Sequence, residues 1–173
     1  MTLYTFDGRT PKVNETAFVA PNAVIIGSVE IGPRSSIWPG VSLRGDVANI
    51  SIGTCSNLQD GCVIHAERGG SVEIGDGVSV GHGAILHGCR LGSNVLIGMG
   101  AIVMEGVNVE DWALIGAGAL LSPHTVVPSK SLVLGVPGRV TRQLTDEDVK
   151  HIRRNAEEYV SLIAAYHKLK AIT

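Results

Sequence analysis

Residues 91–133 read LGSNVL IGMGAI VMEGVN VEDWAL IGAGAL LSPHTV VPSKSL V when written in groups of six, and each group begins with Leu, Ile or Val. A period of six fits neither a helix, which repeats about every 3.6 residues, nor a single long strand, which repeats about every two residues. Short strands that turn at fixed intervals produce such a period, and hexapeptide repeats of this kind indicate a parallel β-helix. Three groups would form one triangular coil with its aliphatic side chains pointing inward, and successive coils would lie about 4.8 Å apart.

The repeat continues toward the amino terminus, with aliphatic residues at positions 31, 37, 43, 52, 58, 64, 74, 80 and 86. Its spacing departs from six at three steps: nine residues from 43 to 52, ten from 64 to 74 and five from 86 to 91. All three steps follow the third group of a coil, so they fall at one corner of the prism. A solenoid accommodates insertions at its corners, where functional loops usually lie. We therefore expect an all-β fold of about six coils, about 30 Å long, with loops at this corner.

The composition supports a narrow core and argues against several classes of function. Of 173 residues, 45% are hydrophobic but only 4% are aromatic. Many of the 22 glycines directly follow an aliphatic residue of the repeat. They do not form the strand–turn–helix pattern of a phosphate-binding loop. A net charge of −2 offers no basic surface for nucleic acid. There is no apolar run of about 18 residues and no signal-peptide pattern, so we expect a cytoplasmic protein without a membrane role. The three cysteines lack CxxC spacing and are expected to be buried thiols.

A different pattern begins after the repeat. The repeat fades at VLGVPG, residues 133–138, where the Pro and Gly indicate a linker. Thr145 and Asp148 have the spacing of a capping box, and apolar residues then recur every three or four positions. This pattern predicts an amphipathic helix over residues 146–169 that packs on the β-helix. The expected domains are residues 1–138, with an N-terminal strand and the β-helix, and residues 139–173, with the linker and the C-terminal α-helix.

Three polar residues directly follow a third-group aliphatic: Arg44, His65 and His87. Equivalent positions of successive coils stack, so these side chains should form one column with His65 and His87 about 5 Å apart at the backbone. Two imidazoles at that separation can converge on one ion, at Zn–N distances of about 2.0–2.1 Å. Arg44 and the nearby Asp46 could equally be a solvated ion pair at this corner.

His82 belongs to a different corner. It lies two residues after Val80, and Asp60 lies two residues after Leu58 in the preceding coil, so the two should stack on each other. Six residues of extended chain, at most about 20 Å, separate this corner from the histidine pair. His82 is therefore either no ligand or the ligand of a site that a neighbouring subunit completes. Asp60 and the adjacent Gln59 also suit turns.

Four motifs together resemble the gamma-class carbonic anhydrase family of hexapeptide-repeat proteins. They are RGD at 44–46, NLQDG at 57–61, His65, and GHGAILHGC at 81–89, and the resemblance extends over nearly the whole chain. It implies a left-handed β-helix that forms a homotrimer and binds one zinc-like ion at each subunit interface. It makes His65 and His87 ligands from one subunit and His82 the ligand from the next.

The resemblance also implies roles for other residues. Arg44 and Asp46 would form an ion pair between subunits, and Asn57, Gln59 and Asp60 would be polar residues of the site. The ion would be Zn²⁺, with Fe²⁺ or Co²⁺ as alternatives, because imidazole ligands discriminate weakly among these metals. An open coordination position would hold a water whose pKa is lowered toward about 7, and Gln59 would orient that water for attack on CO2, giving bicarbonate.

The sequence departs from the family's active members at the residues that move protons. Those members carry a glutamate just after the RGD motif and a long acidic loop after the first metal histidine. Here Val47 and Ala48 follow the motif, and the loop is only AERGGSVE at 66–73. Glu67 is the nearest carboxylate and a candidate substitute, and Tyr159 on the helix could reach the site in a trimer. Without such a group, proton transfer would limit turnover.

Two other functions remain open on the sequence. A hexapeptide acyltransferase would use one histidine as a general base on an acyl-CoA, and the LGVPGRV segment at 134–140 occurs in such enzymes too. Three converging histidines argue against this alternative, since acyl transfer needs a single base. A non-catalytic metal-binding or scaffold protein would keep the ligands without turnover.

Overall fold

The computed structural model describes residues 2–170, which form a β-solenoid followed by one helix. Its elements, in chain order, are β1 Thr2–Tyr4, β2 Lys12–Val13, β3 Phe18–Val19, β4 Val24–Ile31, β5 Ser36–Ile37, β6 Ser42–Ile52, β7 Asn57–Leu58, β8 Val63–His65, β9 Ser71–Ile74, β10 Ser79–Val80, β11 Ile85–His87, β12 Arg90–Leu91, β13 Leu96–Ile97, β14 Ile102–Val103, β15 Asn108–Val109, β16 Leu114–Ile115, β17 Leu120–Leu121, β18 Val126–Val127, β19 Ser131–Leu134, β20 Arg139–Gln143 and α1 Asp146–Tyr166.

These strands stack into three faces. Face one contains β3, β5, β7, β10, β13, β16 and β19. Face two contains β1, the first halves of β4 and β6, and then β8, β11, β14 and β17; face three contains β2, the second halves of β4 and β6, and then β9, β12, β15 and β18. Corner one joins face one to face two, and corner two joins face two to face three. The stacking within each face is parallel, which confirms the β-helix that the six-residue period predicts.

The solenoid has about seven coils, one more than the approximate number that the repeat indicates. The additional coil contains Val13, Val19 and Ile25, which keep the six-residue spacing but precede Ile31, where the clear repeat begins. Strand β1 pairs with β4 beyond this coil and covers its end on face two. Terminal repeats of solenoids are atypical because they cap the core, so the first coil is hard to recognise from its sequence.

The inward aliphatic side chains form one narrow core along the solenoid. Rung residues such as Leu43, Ile64 and Leu86 are completely buried. The coils also approach closely at their turns. A Cβ atom on Gly75 would lie 2.7 Å from the carbonyl carbon and oxygen of Gly92 in the next coil. Glycine is therefore required at this position by the approach of two backbones.

Corner two differs from the prediction at one of its expected loops. Strand β6 runs without interruption from Ser42 to Ile52, so the nine-residue step is a strand and not a loop. Strand β4 turns the same corner and supplies pairing partners on both faces, with a register shift between Gly27 and Val29. Strand β4 forms hydrogen bonds with the backbone of β6 on both sides of the corner, so the additional residues of the nine-residue step stay extended. The loop after β8 is present, at residues 66–70.

Helix α1 lies along face one. It begins near the last coil, where the Leu144 amide donates to the Lys130 carbonyl at 2.7 Å, and ends near the first, where the rings of Tyr166 and Phe18 are 5.6 Å apart. Between these points the ring of Tyr159 lies 5.2 Å from that of Trp38. The amphipathic helix is confirmed, although it ends at Tyr166 and not at residue 169. No helix among residues 2–170 combines the length and hydrophobicity needed to cross a bilayer.

Residues 139–143, which the sequence placed in a linker, form a strand. Strand β20 pairs antiparallel with β19 and extends the end of face one. All five of its residues are exposed, so their sequence carries no alternation of apolar and polar residues that would have indicated a strand.

Asp148→Asn is expected to destabilise the fold by about 1 kcal/mol at neutral pH, because it removes a helix cap. In the predicted capping box, the Thr145 amide donates to Asp148 Oδ2 at 2.7 Å and the Asp148 amide donates to Thr145 Oγ1 at 3.2 Å. A hydrogen bond from Arg142, followed by the cap hydrogen bonds from Thr145, holds the pKa of Asp148 well below its usual range. The ionised carboxylate therefore stabilises the fold above about pH 4, its unfolded-state pKa, and this contribution is lost as the pH falls toward the folded-state pKa.

Urea unfolding of the parent chain and the Asp148→Asn variant, at neutral pH and near pH 2, measures this difference. Asp146→Asn is the control, since Asp146 lies in the same turn outside the capping box. The difference in the free energy of unfolding between the parent chain and Asp148→Asn should be smaller near pH 2 than at neutral pH. An equal or larger difference near pH 2 would contradict the stabilising role of the ionised Asp148 carboxylate.

Candidate metal centre

The column predicted at corner two is confirmed. Strands β6, β8 and β11 stack on face two, with Arg44 opposite His65 and His65 opposite His87. The centres of the two imidazole rings are 5.3 Å apart, and Nδ1 of His65 lies 3.3 Å from Nε2 of His87. The repeat produces this proximity, because each histidine directly follows an inward rung residue that packs on its equivalent in the next coil.

The spacing of these two nitrogens fits a single metal ion. Two ligands of a tetrahedral zinc ion at about 2.0–2.1 Å lie roughly 3.3–3.4 Å from each other. The observed 3.3 Å between His65 and His87 therefore permits both to bind one ion without any rearrangement of the strands. The same distance also allows a hydrogen bond between the rings, so the spacing permits a metal without requiring one.

A carboxylate lies near the second ring nitrogen of each histidine of the pair. His65 Nε2 donates to Asp46 Oδ1 at 3.1 Å, and His87 Nδ1 lies 3.9 Å from Glu105 Oε2. Metal-binding histidines commonly present their second nitrogen to a carboxylate, which orients the ring and fixes its tautomer. Glu105 was not among the predicted site residues. It lies two residues after Val103, which stacks on Leu86, and this offset in the repeat is the signal that could have located it.

Asp46 is ionised at neutral pH. Burial alone would raise the pKa of its carboxyl, but hydrogen bonds from Arg44 and His65 and the charge of Arg44 outweigh burial, so the pKa lies below its usual range. Arg44 Nη1 donates to Asp46 Oδ2 at 2.6 Å, and Arg9 Nη2 donates to the Asp46 carbonyl oxygen at 2.6 Å. Within one chain, Arg44 and Asp46 thus pair with each other, and their role between subunits stays a prediction.

His82 lies at corner one, as predicted, and contacts Asp60 of the preceding coil. The distance from His82 Nδ1 to Asp60 Oδ2 is 3.0 Å, so Asp60 contacts only this nitrogen and not Nε2. About half of the His82 side chain is exposed. Corner one and corner two are the opposite edges of face two. In residues 2–170 no cluster of three or more His, Cys, Asp and Glu side chains could hold a metal ion. The structure therefore does not bring His82 to the His65–His87 pair within one chain.

Gln59 is held beside His82 by a buried amide. Asn57 on β7 is almost fully buried and donates through Nδ2 to Ser79 Oγ at 2.8 Å. Gln59 Nε2 donates to Asn57 Oδ1 at 3.1 Å, and Gln59 is only 5% exposed. Buried amides that are paired in this way have few alternative rotamers, so the free oxygen of Gln59 has a defined position next to corner one.

The chain has clear relatives among hexapeptide-repeat proteins. Residues 88–123 match the family model described as bacterial transferase hexapeptide (six repeats). The probable carbonic anhydrase of Methanocaldococcus jannaschii is 49% identical over 150 residues, which are 87% of this chain and 94% of that protein. Mitochondrial gamma carbonic anhydrase 2 of Arabidopsis thaliana is 42% identical over 93% of this chain. The chain belongs to the gamma-class carbonic anhydrase-like family of hexapeptide-repeat proteins.

The solved structures support the hexapeptide-repeat fold. A hexapeptide transferase family protein from Anaplasma phagocytophilum superposes with a TM-score of 0.93 at 42% identity, covering 95% of this chain and 98% of the other. The fold is therefore the left-handed parallel β-helix that the resemblance implies. The chain spans about 60% of the length of the Arabidopsis protein, which is longer than this sequence.

The remaining predicted site residues lie at different corners. Glu67 is exposed in the loop that follows His65 at corner two. Tyr159 lies on α1 and, with Gln59 and His82, lines a cleft near corner one. Burial raises the pKa of the Tyr159 hydroxyl and the charge of Asp60 raises it further, so this group stays protonated at neutral pH. The roles assigned to Glu67 and Tyr159 stay predictions.

The cysteines do not add donors to the site. Burial raises the pKa of Cys62 to about 11 and that of Cys89 to about 12, so both remain thiols at neutral pH. All three cysteines are free, and Cys55 is half-buried instead of fully buried as expected. Neutral thiols are poor ligands for zinc-type ions.

Proposed function

We propose that this chain is the subunit of a gamma-type carbonic anhydrase that uses a zinc-type ion to hydrate CO2 to bicarbonate between three identical subunits. The observation that carries the proposal is the 3.3 Å spacing of His65 Nδ1 and His87 Nε2, with a carboxylate behind each ring. The close similarity to carbonic anhydrases supports the reaction class. The exposed His82 at the opposite edge of face two supports a site that one chain leaves incomplete.

The surface of face two supports a trimer. Val63, Ile85 and Ile102 lie side by side on the outside of β8, β11 and β14, and 37–44% of each is exposed. Such a row of exposed aliphatic side chains is typical of a surface that another protein covers. Three copies related by a threefold axis, each with face two toward the axis, would set corner one of each subunit against corner two of the next. This contact joins different surfaces of identical chains and closes after three subunits.

The ion would be held by His65 and His87 of one subunit and His82 of the next. In each ring a carboxylate lies near one nitrogen, and the other nitrogen is the candidate donor. Zn²⁺ fits three imidazole ligands best, and Fe²⁺ or Co²⁺ would also bind such a set. When bound, the ion supplies a nucleophile by lowering the pKa of a coordinated water toward about 7.

The chain's own residues would position the reactants and move the proton. Gln59, fixed by Asn57, would accept a hydrogen bond from the attacking water and orient it toward the carbon of CO2. Asp46 and Asp60 would fix the rings of His65 and His82 through their second nitrogens. The Glu67 carboxylate, exposed in the loop after His65, would receive the released proton and pass it to buffer. The protonated Tyr159 hydroxyl can donate a hydrogen bond to the oxygen of the product.

Metal analysis of anaerobically purified protein, followed by stopped-flow CO2 hydration on the same sample, tests the proposal. We expect about one ion per chain, activity that chelation removes and added Zn²⁺ restores, and a faster turnover in concentrated imidazole buffer because a single exposed carboxylate is a slow proton relay. One ion without hydration would move the function to another reaction or to metal binding alone. Absence of any ion after reconstitution would reject the metal site and favour acyl transfer.

A further inference from the structure

Both internal methionines of the chain lie one coil after proposed metal ligands. Met99 occupies the place in corner one that His82 occupies in the preceding coil, since each lies two residues after a rung residue of face one. Met104 occupies the corresponding place after His87 in corner two, since each directly follows a rung residue of face two. The column that contains His82 and the column that contains the histidine pair therefore both continue with a methionine, and they do so in the same coil.

Neither methionine is enclosed by its own chain. Met99 is 58% exposed, and Met104 is half-buried. Met99 also lines a cleft of about 390 Å³ together with Gln59 and His82, so it borders the same space as two residues of the proposed site. An exposed apolar side chain beside polar site residues suits a surface that a second subunit or a ligand covers.

The proposed trimer would bring the two columns together at matching heights. Stacked coils are about 4.8 Å apart, and corner two follows corner one by about a third of a coil. With the threefold axis parallel to the solenoid, His82 would lie about 3.2 Å below His65 of the next subunit, toward the last coil, and about 1.6 Å above its His87. The same offset places Met99 between the levels of His87 and Met104 of the next subunit. The two methionines would therefore meet below the ion.

The two sides of the ion would then differ in polarity. Above it, toward the first coil, Asp60 stacks on His82, and Asn57 fixes the amide of Gln59. Below it are two thioethers, which are not among the usual ligands of zinc-type ions. Carbon dioxide is linear and has no net dipole, whereas bicarbonate is charged. An apolar, polarizable surface suits carbon dioxide and not bicarbonate.

We propose that Met99 of one subunit and Met104 of the next form an apolar wall that binds CO2 below the ion. The substrate lies between this wall and the water that Gln59 orients, with its carbon toward that water. Bicarbonate is not retained, because a charged product is disfavoured on an apolar surface. The substrate role rests on the proposed function, whereas the contact between the two methionines requires only the trimer.

Steady-state CO2 hydration by Met99→Gln and Met104→Gln tests the wall. Glutamine has nearly the length of methionine but is polar, and we expect kcat/KM for CO2 to fall about tenfold, the low end of what one apolar group contributes in a binding pocket. In dilute buffer kcat should stay nearly the same, because release of the proton limits it. Met99→Leu, which keeps an apolar side chain, should retain most of kcat/KM. Val126→Gln is the matched control, since Val126 is 59% exposed on the outside of face three.

Two results of these assays would overturn the wall. One is a kcat/KM in either glutamine variant that equals that of Val126→Gln. The other is a loss of metal or of the trimer in either glutamine variant, which would give the methionines a packing role. Failure of the metal-loaded parent chain to hydrate CO2 would overturn the proposed function, and the substrate role of the methionines with it.

Chemical cross-linking tests the contact without a measurement of activity. In the double variant Met99→Cys with Met104→Cys, a short bismaleimide should join neighbouring subunits and yield covalent dimers and trimers on a denaturing gel. Each single variant keeps the three native cysteines and should yield none, because it presents only one of the two new thiols at the interface. Absence of cross-linked subunits in a double variant that still forms trimers overturns the proposal, even if the parent chain binds metal and hydrates CO2.

Discussion

His82→Ala is expected to reduce the metal content from about one ion per chain to nearly none, while the protein remains a trimer. The ring is half-exposed at corner one and supports no part of the core, so its removal should not disturb the coils. Loss of one of three protein ligands, however, leaves a zinc-type ion with too few donors for stable binding. Metal analysis and size-exclusion chromatography with light scattering on the same sample measure both quantities.

A mixture of two inactive variants tests whether the ligands come from different subunits. His65→Ala removes a ligand at corner two but keeps His82, and His82→Ala does the reverse. In trimers assembled at random from equal amounts of the two, about one quarter of the interfaces would pair an intact corner one with an intact corner two. We therefore expect co-expressed variants to recover about a quarter of the metal content. If co-expression restores none although mixed trimers form, the ligands do not come from different subunits.

Gly75→Ala is expected to destabilise the solenoid by about 3 kcal/mol, at the upper end of overpacking effects. The added Cβ would lie 2.7 Å from the carbonyl carbon and oxygen of Gly92 and 2.9 Å from the amide nitrogen of Ser93. These are backbone atoms of the next coil, so no side chain can rotate away to make room. Relief would require the coils to separate, and their spacing is fixed by the hydrogen bonds of β9 with β12. The melting temperature should fall by about 6–12 °C.

Gly61→Ala is the control for this prediction. Gly61 has a φ of +72°, and no atom lies within 4 Å of the position of its Cβ. Alanine there would cost only the strain of the left-handed conformation, about 1–2 kcal/mol. Denaturant unfolding of both variants at one protein concentration separates the two effects, since concentration affects the stability of an oligomer. A smaller loss of stability for Gly75→Ala than for Gly61→Ala would contradict the clash.

Most of the fold was predictable because it depends on spacing alone. The six-residue period places each rung residue on its equivalent in the next coil, so His65 and His87 could be paired without knowledge of any angle. The same argument separated His82 from that pair. The first coil was missed because it caps the core with an atypical repeat. Strand β20 was missed because all five of its residues are exposed, so its sequence shows no alternation of apolar and polar residues.

The details of the site depend on side-chain directions that spacing does not determine. The sequence indicated which histidines share a corner, but not which nitrogen of each ring faces a carboxylate. Glu105 was missed because it lies one position beyond the column that contains the histidines. The cleft near corner one was also unpredictable, since it depends on how helix α1 packs on face one.

The single helix also relates the number of coils to a length. With 21 residues, α1 is about 31 Å long, and seven stacked coils span about 29 Å. Its two ends are tied to the first and last coils, through Tyr166 against Phe18 and through Leu144 against Lys130. Removing one coil would leave the helix about 5 Å too long, close to one helical turn. The length of the helix therefore matches the number of coils, and a solenoid with one coil more or fewer would need a helix that is about three residues longer or shorter.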